Sequence, residues 1–91
     1  MPDPRWRLQI AASAERSLNR LSERIAASIV EFLLGPVADN PHRLGKPLRD
    51  ELTGYHAARR GPYRVVYRID DQTRVIYVVR IDHRSDVYRL R

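Results

Sequence analysis

A chain of 91 residues with 43% hydrophobic and 31% charged side chains can bury one small core and not two, so a single domain spanning residues 1–91 is expected. Cysteine is absent, which excludes disulfide scaffolds, thiolate metal sites and cysteine nucleophiles, and suits a reducing cytoplasm. The formal charge is +6, and no apolar run approaches the ~20 residues of a membrane span, so neither export nor membrane insertion is indicated.

Trp6, Leu8 and Ile10 alternate with Arg7 and Gln9, the period-two pattern of a half-buried strand. Ser13 is a plausible N-cap for a short first helix ending near Arg20, in which Ala14, Leu18 and Leu21 recur at helical spacing. Ser22 can cap a second helix, whose apolar stripe of Ile25, Ile29, Phe32 and Leu33 runs until Gly35-Pro36 stops it. The two predict a helical hairpin covering one side of a sheet. Residues 35–54 carry Gly35-Pro36, Asn40-Pro41 and Lys46-Pro47, which predicts a loop without regular structure. Strands follow at 55–60, 63–69, 75–81 and 87–90, with turns at Gly61-Pro62 and Asp70-Asp71-Gln72. Turns this short require antiparallel pairing. The expected fold is therefore α+β: a strand, a two-helix hairpin, then a four-stranded antiparallel meander. Alternation along 63–69 places Tyr63, Val65, Tyr67 and Ile69 on one face and Arg64, Val66 and Arg68 on the other.

The charge is unevenly placed. From His42 onward there are 12 basic and 6 acidic residues, while 5 of each precede it, so the whole excess lies in the second half. Sixteen of the 17 cations are arginine, whose planar fork binds phosphate bidentately and stacks on bases. A polyanionic partner follows, with nucleic acid the first choice; an arginine-favouring codon usage on an ordinary solvated surface is the plainer account of the same numbers.

Among catalytic signatures, the chain has no phosphate-binding glycine loop, no G-x-S-x-G and no H-E-x-x-H. His42, His56 and His83 are too scattered for a zinc site, and no metal or other cofactor is called for. What remains is a set of polar side chains on the meander, densest at Asp82-His83-Arg84-Ser85-Asp86-Val87-Tyr88-Arg89, directly after the apolar run 75–79. A site at that junction would be exposed yet rigidly mounted.

Four segments, in this order and spacing, resemble the RelE/ParE toxin superfamily: Leu44-Gly45-Lys46-Pro47-Leu48, the stretch from Leu52-Thr53-Gly54-Tyr55 to Arg59-Arg60, Tyr63-Arg64-Val65-Val66-Tyr67, and His83-Arg84-Ser85-Asp86-Val87-Tyr88. The similarity covers nearly the whole chain. It implies a toxin of a type II toxin–antitoxin system that enters the ribosomal A site and cleaves mRNA, silenced in a hetero-oligomer by a cognate RelB-like antitoxin. The implied chemistry is metal-free: the ribose 2′-OH attacks the neighbouring phosphate, leaving a 2′,3′-cyclic phosphate and a free 5′-OH.

By resemblance, Arg64 corresponds to the family's phosphate-stabilising arginine, suited to charge accumulating on phosphate oxygens. Tyr88 matches a near-terminal tyrosine that stacks on a base or shuttles a proton, and Arg84 a basic residue before it. His83 falls where several relatives place a histidine, and a reference pKa of ~6.5 lets it act as base or acid. Strand 55–60 departs from the pattern: RelE itself carries lysines there, whereas this chain has His56, Ala57, Ala58 and Arg59. Lys46, Arg59 and Arg60 remain as candidates for gripping RNA phosphates. Two other readings compete. One is a ParE-like inhibitor of DNA gyrase without nuclease activity, and the other is a basic RNA-binding module with no chemistry.

Overall fold

The computed structural model describes residues 5–85. Strand β1 (Arg7–Ile10) leads into helices α1 (Ala12–Asn19) and α2 (Glu23–Phe32), a short helix α3 (Pro41–Leu44), and strands β2 (Lys46–Pro47), β3 (Tyr55–Arg60), β4 (Tyr63–Asp70) and β5 (Val75–His83). The strands form one sheet in the order β1-β5-β4-β3-β2. β5, β4, β3 and β2 each run antiparallel to their neighbour, whereas β1 joins β5 in parallel. The helical hairpin supplies the crossover that a parallel pair needs. The α+β expectation holds. The fourth meander strand expected at 87–90 lies outside the described residues.

One face of the sheet is packed by the helices. Ala14, Ile29, Leu33 and Val37 close against Ala58, Val65, Tyr67, Ile76, Val78 and Ile81. Val65 and Tyr67 take the side that alternation assigned to them. Ser22 caps α2 as expected, its hydroxyl accepting from the Ile25 N–H at 3.3 Å. Gly61 takes φ +61 at the first of the two residues between β3 and β4, the position where a type II′ hairpin turn needs glycine.

Three expectations are corrected. Gly35-Pro36 does not stop the second helix: the chain continues through a π-helical turn, Leu33–Val37, with Pro36 inside it. The wider turn accommodates a residue that has no N–H and whose ring clashes in an α-helix, and it keeps Leu33 and Val37 fully buried. The segment 35–54 is likewise not structureless. Asn40 caps α3 by accepting from the Arg43 N–H, with Pro41 at the first helical position, and β2 then pairs along β3 with Lys46 opposite Ala57. Ser13, finally, is not an N-cap. α1 starts after Ala11 without a side-chain cap, and the Ser13 hydroxyl instead donates to the Val79 carbonyl at 2.7 Å.

That last bond matters for the site. The register between β4 and β5 jumps from Val66↔Arg80 to Tyr67↔Val78, leaving Val79 as the extra residue of a β-bulge. The bulge reverses the alternation of β5 beyond it: Val78 and Ile81 both face the core, and Asp82 is placed opposite Arg64 on the other face. Ser13, on α1, satisfies the carbonyl of the bulged residue.

Candidate functional site

The face turned away from the helices is a grid of cross-strand rows set by the register. One row reads Arg59, Arg64, Asp82 from β3 to β5. The next reads Lys46, Ala57, Val66, Arg80, and a third reads Tyr55, Arg68, Tyr77, Gln9. Arg59 and Arg64 stand directly opposite each other, an arrangement that costs stability unless an anion is shared.

Asp82 is the carboxylate within this cluster. Its Oδ2 lies 3.0 Å from Arg80 Nη2 and 3.8 Å from Arg64 Nη2. The Arg64 Nε–H is buried and has no acceptor among the described residues. A buried donor without a partner costs about 1–3 kcal/mol, and an incoming phosphate oxygen would relieve it. Among the described residues, four cations (Lys46, Arg59, Arg64 and Arg80) against one carboxylate give this face an excess of positive charge suited to an anion. Arg80 and Asp82 were not singled out from the sequence, because simple alternation from Val78 would turn both toward the core.

The residues expected to form one site divide between two sides. Arg64, Arg59 and Lys46 share the open face. Arg60 pairs with Tyr63 at the end of β3 and lines a groove with Phe32 and Glu31 on the helix side. His83 also pairs with Tyr63, with ring centroids 5.1 Å apart and nearly perpendicular, so the bulge sets it on the face opposite Arg64. Its Nδ1 accepts from the Ser85 N–H at 3.1 Å and lies 2.8 Å from the Ser85 hydroxyl, which leaves Nε2 as the protonated nitrogen of the neutral ring. The exposed Arg84 ties the end of β5 to the β3–β4 turn, its backbone N–H donating to the Pro62 carbonyl at 2.7 Å. Tyr88 lies outside the described residues.

The other two histidines stand on the helix side with Tyr67. His56 stacks on the Tyr67 ring at 5.8 Å, and burial, followed by the nearby charge of His42, lowers its pKa, with Asp71 opposing. His42 Nε2 contacts Asp71 Oδ1 at 2.7 Å. The Tyr67 hydroxyl donates to the Pro41 carbonyl at 2.6 Å, and burial pushes its pKa up to about 12. This cluster secures α3 and so places Lys46. A Cβ at Gly45 would collide with the Tyr67 hydroxyl. Among the described residues no group of three potential metal ligands is present, and no helix is long and apolar enough to cross a membrane.

Residues 8–88 match the family model of the ParE toxin of type II toxin–antitoxin systems. The chain belongs to this family. Within the wider RelE/ParE superfamily, it is 53% identical over 88 residues to the toxin RelE of Mycobacterium tuberculosis, covering 97% of this chain and 91% of the relative. It is 46% identical over 84 residues to the toxin RelG of the same organism, covering 92% and 97%. Among solved structures, the RelBE2 toxin–antitoxin complex of M. tuberculosis is similar, with a TM-score of 0.84, 45% identity, and 88% of this chain and 99% of that chain covered. Membership of this toxin superfamily agrees with the four segments noted in the sequence.

Proposed function

We propose that this toxin is a metal-free, ribosome-dependent endoribonuclease that cleaves mRNA in the A site. The open row Arg59–Arg64–Asp82, with a buried guanidinium N–H awaiting an acceptor, carries the reading. Two opposed arginines can hold the scissile phosphate bidentately, and their charge counts most as negative charge grows on its oxygens during attack by the 2′-OH. Lys46 and Arg80, one row away and three strand spacings (~14 Å) apart, contact phosphates on either side of it. Asp82, whose Oδ2 faces both Arg64 and Arg80, offsets their mutual repulsion until the RNA arrives.

Proton transfer falls to the end of β5. Tyr88 is assigned the base-stacking or proton-shuttling role with Arg84 in support, while His83, the other candidate base or acid, stands on the face opposite Arg64 and takes part only if the end of β5 turns. Arginine stays protonated near neutrality and makes a poor base. Such a site is strong electrostatically and weak in positioning a flexible strand, which the ribosome supplies by holding the codon in a fixed path; correct positioning can contribute several kcal/mol. A RelB-like antitoxin, as in the complex of the M. tuberculosis relative, is the proposed partner, bound in a hetero-oligomer in the cytoplasm.

The match to the ParE family model supports a second reading, inhibition of DNA gyrase without cleavage. A reporter message translated in a cell-free system, beside a gyrase supercoiling reaction, separates the two. Cuts at codon positions, with cyclic-phosphate ends and equal yield from EDTA-treated toxin, are expected. Stalled supercoiling with an intact message would overturn the nuclease reading, as would rapid cleavage of naked RNA its dependence on the ribosome.

A further inference from the structure

We propose that the row Tyr55, Arg68 and Tyr77 forms a second RNA-contact site, a stacking platform for one nucleobase of the strand whose phosphate lies on Arg59 and Arg64. The proposal rests on the RNA-binding reading above and adds to it a site that recognises bases instead of phosphates.

The three side chains are brought together by register alone. Tyr55 on β3 and Tyr77 on β5 stand on either side of Arg68 on β4. The Arg68 guanidinium carbon lies 4.4 Å from the centroid of the Tyr77 ring, a cation–π contact that seats the cation over an aromatic face. Arg68 itself is exposed and makes no ion pair among the described residues. Asp70, the carboxylate two residues along the strand, is engaged in its own turn: its Oδ1 accepts from the Gln72 and Thr73 N–H groups at 3.1 and 3.3 Å. Those bonds, the Thr73 backbone N–H foremost, hold its carboxyl below the usual range, and the Arg68 charge adds only a lesser share.

A guanidinium seated over an aromatic ring beside a second tyrosine offers a polarisable, cationic surface to a flat ligand. Nucleobases stack on guanidinium planes and on aromatic rings. An acidic peptide would instead seek the edge of the fork, where the donors are, and gains nothing from a flanking tyrosine pair. The chemistry therefore favours a base over a carboxylate. Distance agrees. Arg68 is four residues from Arg64 on the same strand and face, ~13 Å at ~3.3 Å per residue. Even at the compact ~3.4 Å per nucleotide of a B-form strand, both rows fall within about four nucleotides of one RNA, and within fewer if the strand is extended.

The test uses the purified toxin and a fluorescent single-stranded RNA heptamer, intact or made abasic at one position at a time, with Arg68→Lys and Tyr77→Leu as variants. Arg68→Lys keeps the charge and loses the plane. Both variants should weaken binding of intact RNA by about 5- to 150-fold, the range of stacking losses of ~1–3 kcal/mol per base. The salt dependence should be unchanged, and one abasic position should erase the difference between variants and wild type. Thermal melts of both variants check the fold. Two results would overturn the platform while leaving the nuclease reading intact: wild-type affinity for RNA in both folded variants, or weakened antitoxin binding with RNA binding unaltered. If the wild-type toxin binds no RNA and leaves ribosome-loaded messages uncut, the nuclease reading itself fails and the platform with it.

Discussion

Replacing Arg64 by Ala separates chemistry from folding, because the structure predicts very different costs for each. Among the described residues Arg64 has a single ionic contact, 3.8 Å to Asp82, whose closer partner is Arg80 at 3.0 Å. A partly exposed pair of this kind contributes ~0–1 kcal/mol. Its loss should lower the melting temperature by no more than about 4–8 °C in a domain of this size. In the reaction, removal of a donor aimed at developing charge costs ~10²- to 10³-fold in rate, or ~2.7–4 kcal/mol. The transition-state effect therefore exceeds the folding effect several-fold. Single-turnover cleavage of a message stalled on ribosomes with an empty A site, beside a thermal melt, measures both. The slope of log affinity for single-stranded RNA against log salt should also become shallower by ~0.7, the share of one phosphate contact. Full cleavage by a folded Arg64→Ala protein, or a melt so lowered that the variant is unfolded in the assay, would refute the assignment.

Further outcomes are expected from the same structure. Ser13→Ala removes the hydroxyl that satisfies the bulge carbonyl of Val79 and should cost ~0.5–1.5 kcal/mol in denaturant unfolding, with cleavage lowered as well, because the bulge sets the side on which Asp82 stands. Tyr67→Phe leaves the Pro41 carbonyl without its donor and should cost ~1–3 kcal/mol at pH 8. Because the Tyr67 hydroxyl titrates at about 12 in the folded chain and at ~10 unfolded, its contribution is complete below ~10 and is lost as pH rises through 12. The wild-type advantage over Tyr67→Phe should therefore shrink as pH rises through that window, by an amount on the order of 1 kcal/mol per pH unit; a pH-independent difference would contradict the burial argument. Association with an acidic antitoxin segment should slow markedly as salt is raised, since the second half of the chain carries the whole +6, and stopped-flow rates that ignore salt would argue against electrostatic capture.

What the sequence determined by itself is what has a local cause. Alternation along β4 assigned Val65 and Tyr67 to the core and Arg64 and Arg68 to the open face, because a strand's side chains alternate whatever it pairs with. The stripe Ile25, Ile29, Phe32 and Leu33 marked the buried side of α2, and Gly61-Pro62 marked a hairpin turn that only a positive φ could close. The resemblance named the superfamily from short segments in the right order. Tertiary structure alone decided the rest. The proline at 36 stays within helical chain because Leu33 and Val37 are both buried in the core, and that gain outweighs a lost backbone bond through a π turn. The membership of the open-face rows depends on one inserted residue, Val79, whose carbonyl is held by a serine 66 positions away. A bulge shifts every later residue of β5 to the other face, which exchanges Asp82 for His83 beside Arg64. No local pattern carries that parity, since the bonds that set it join a helix at one end of the chain to a strand at the other.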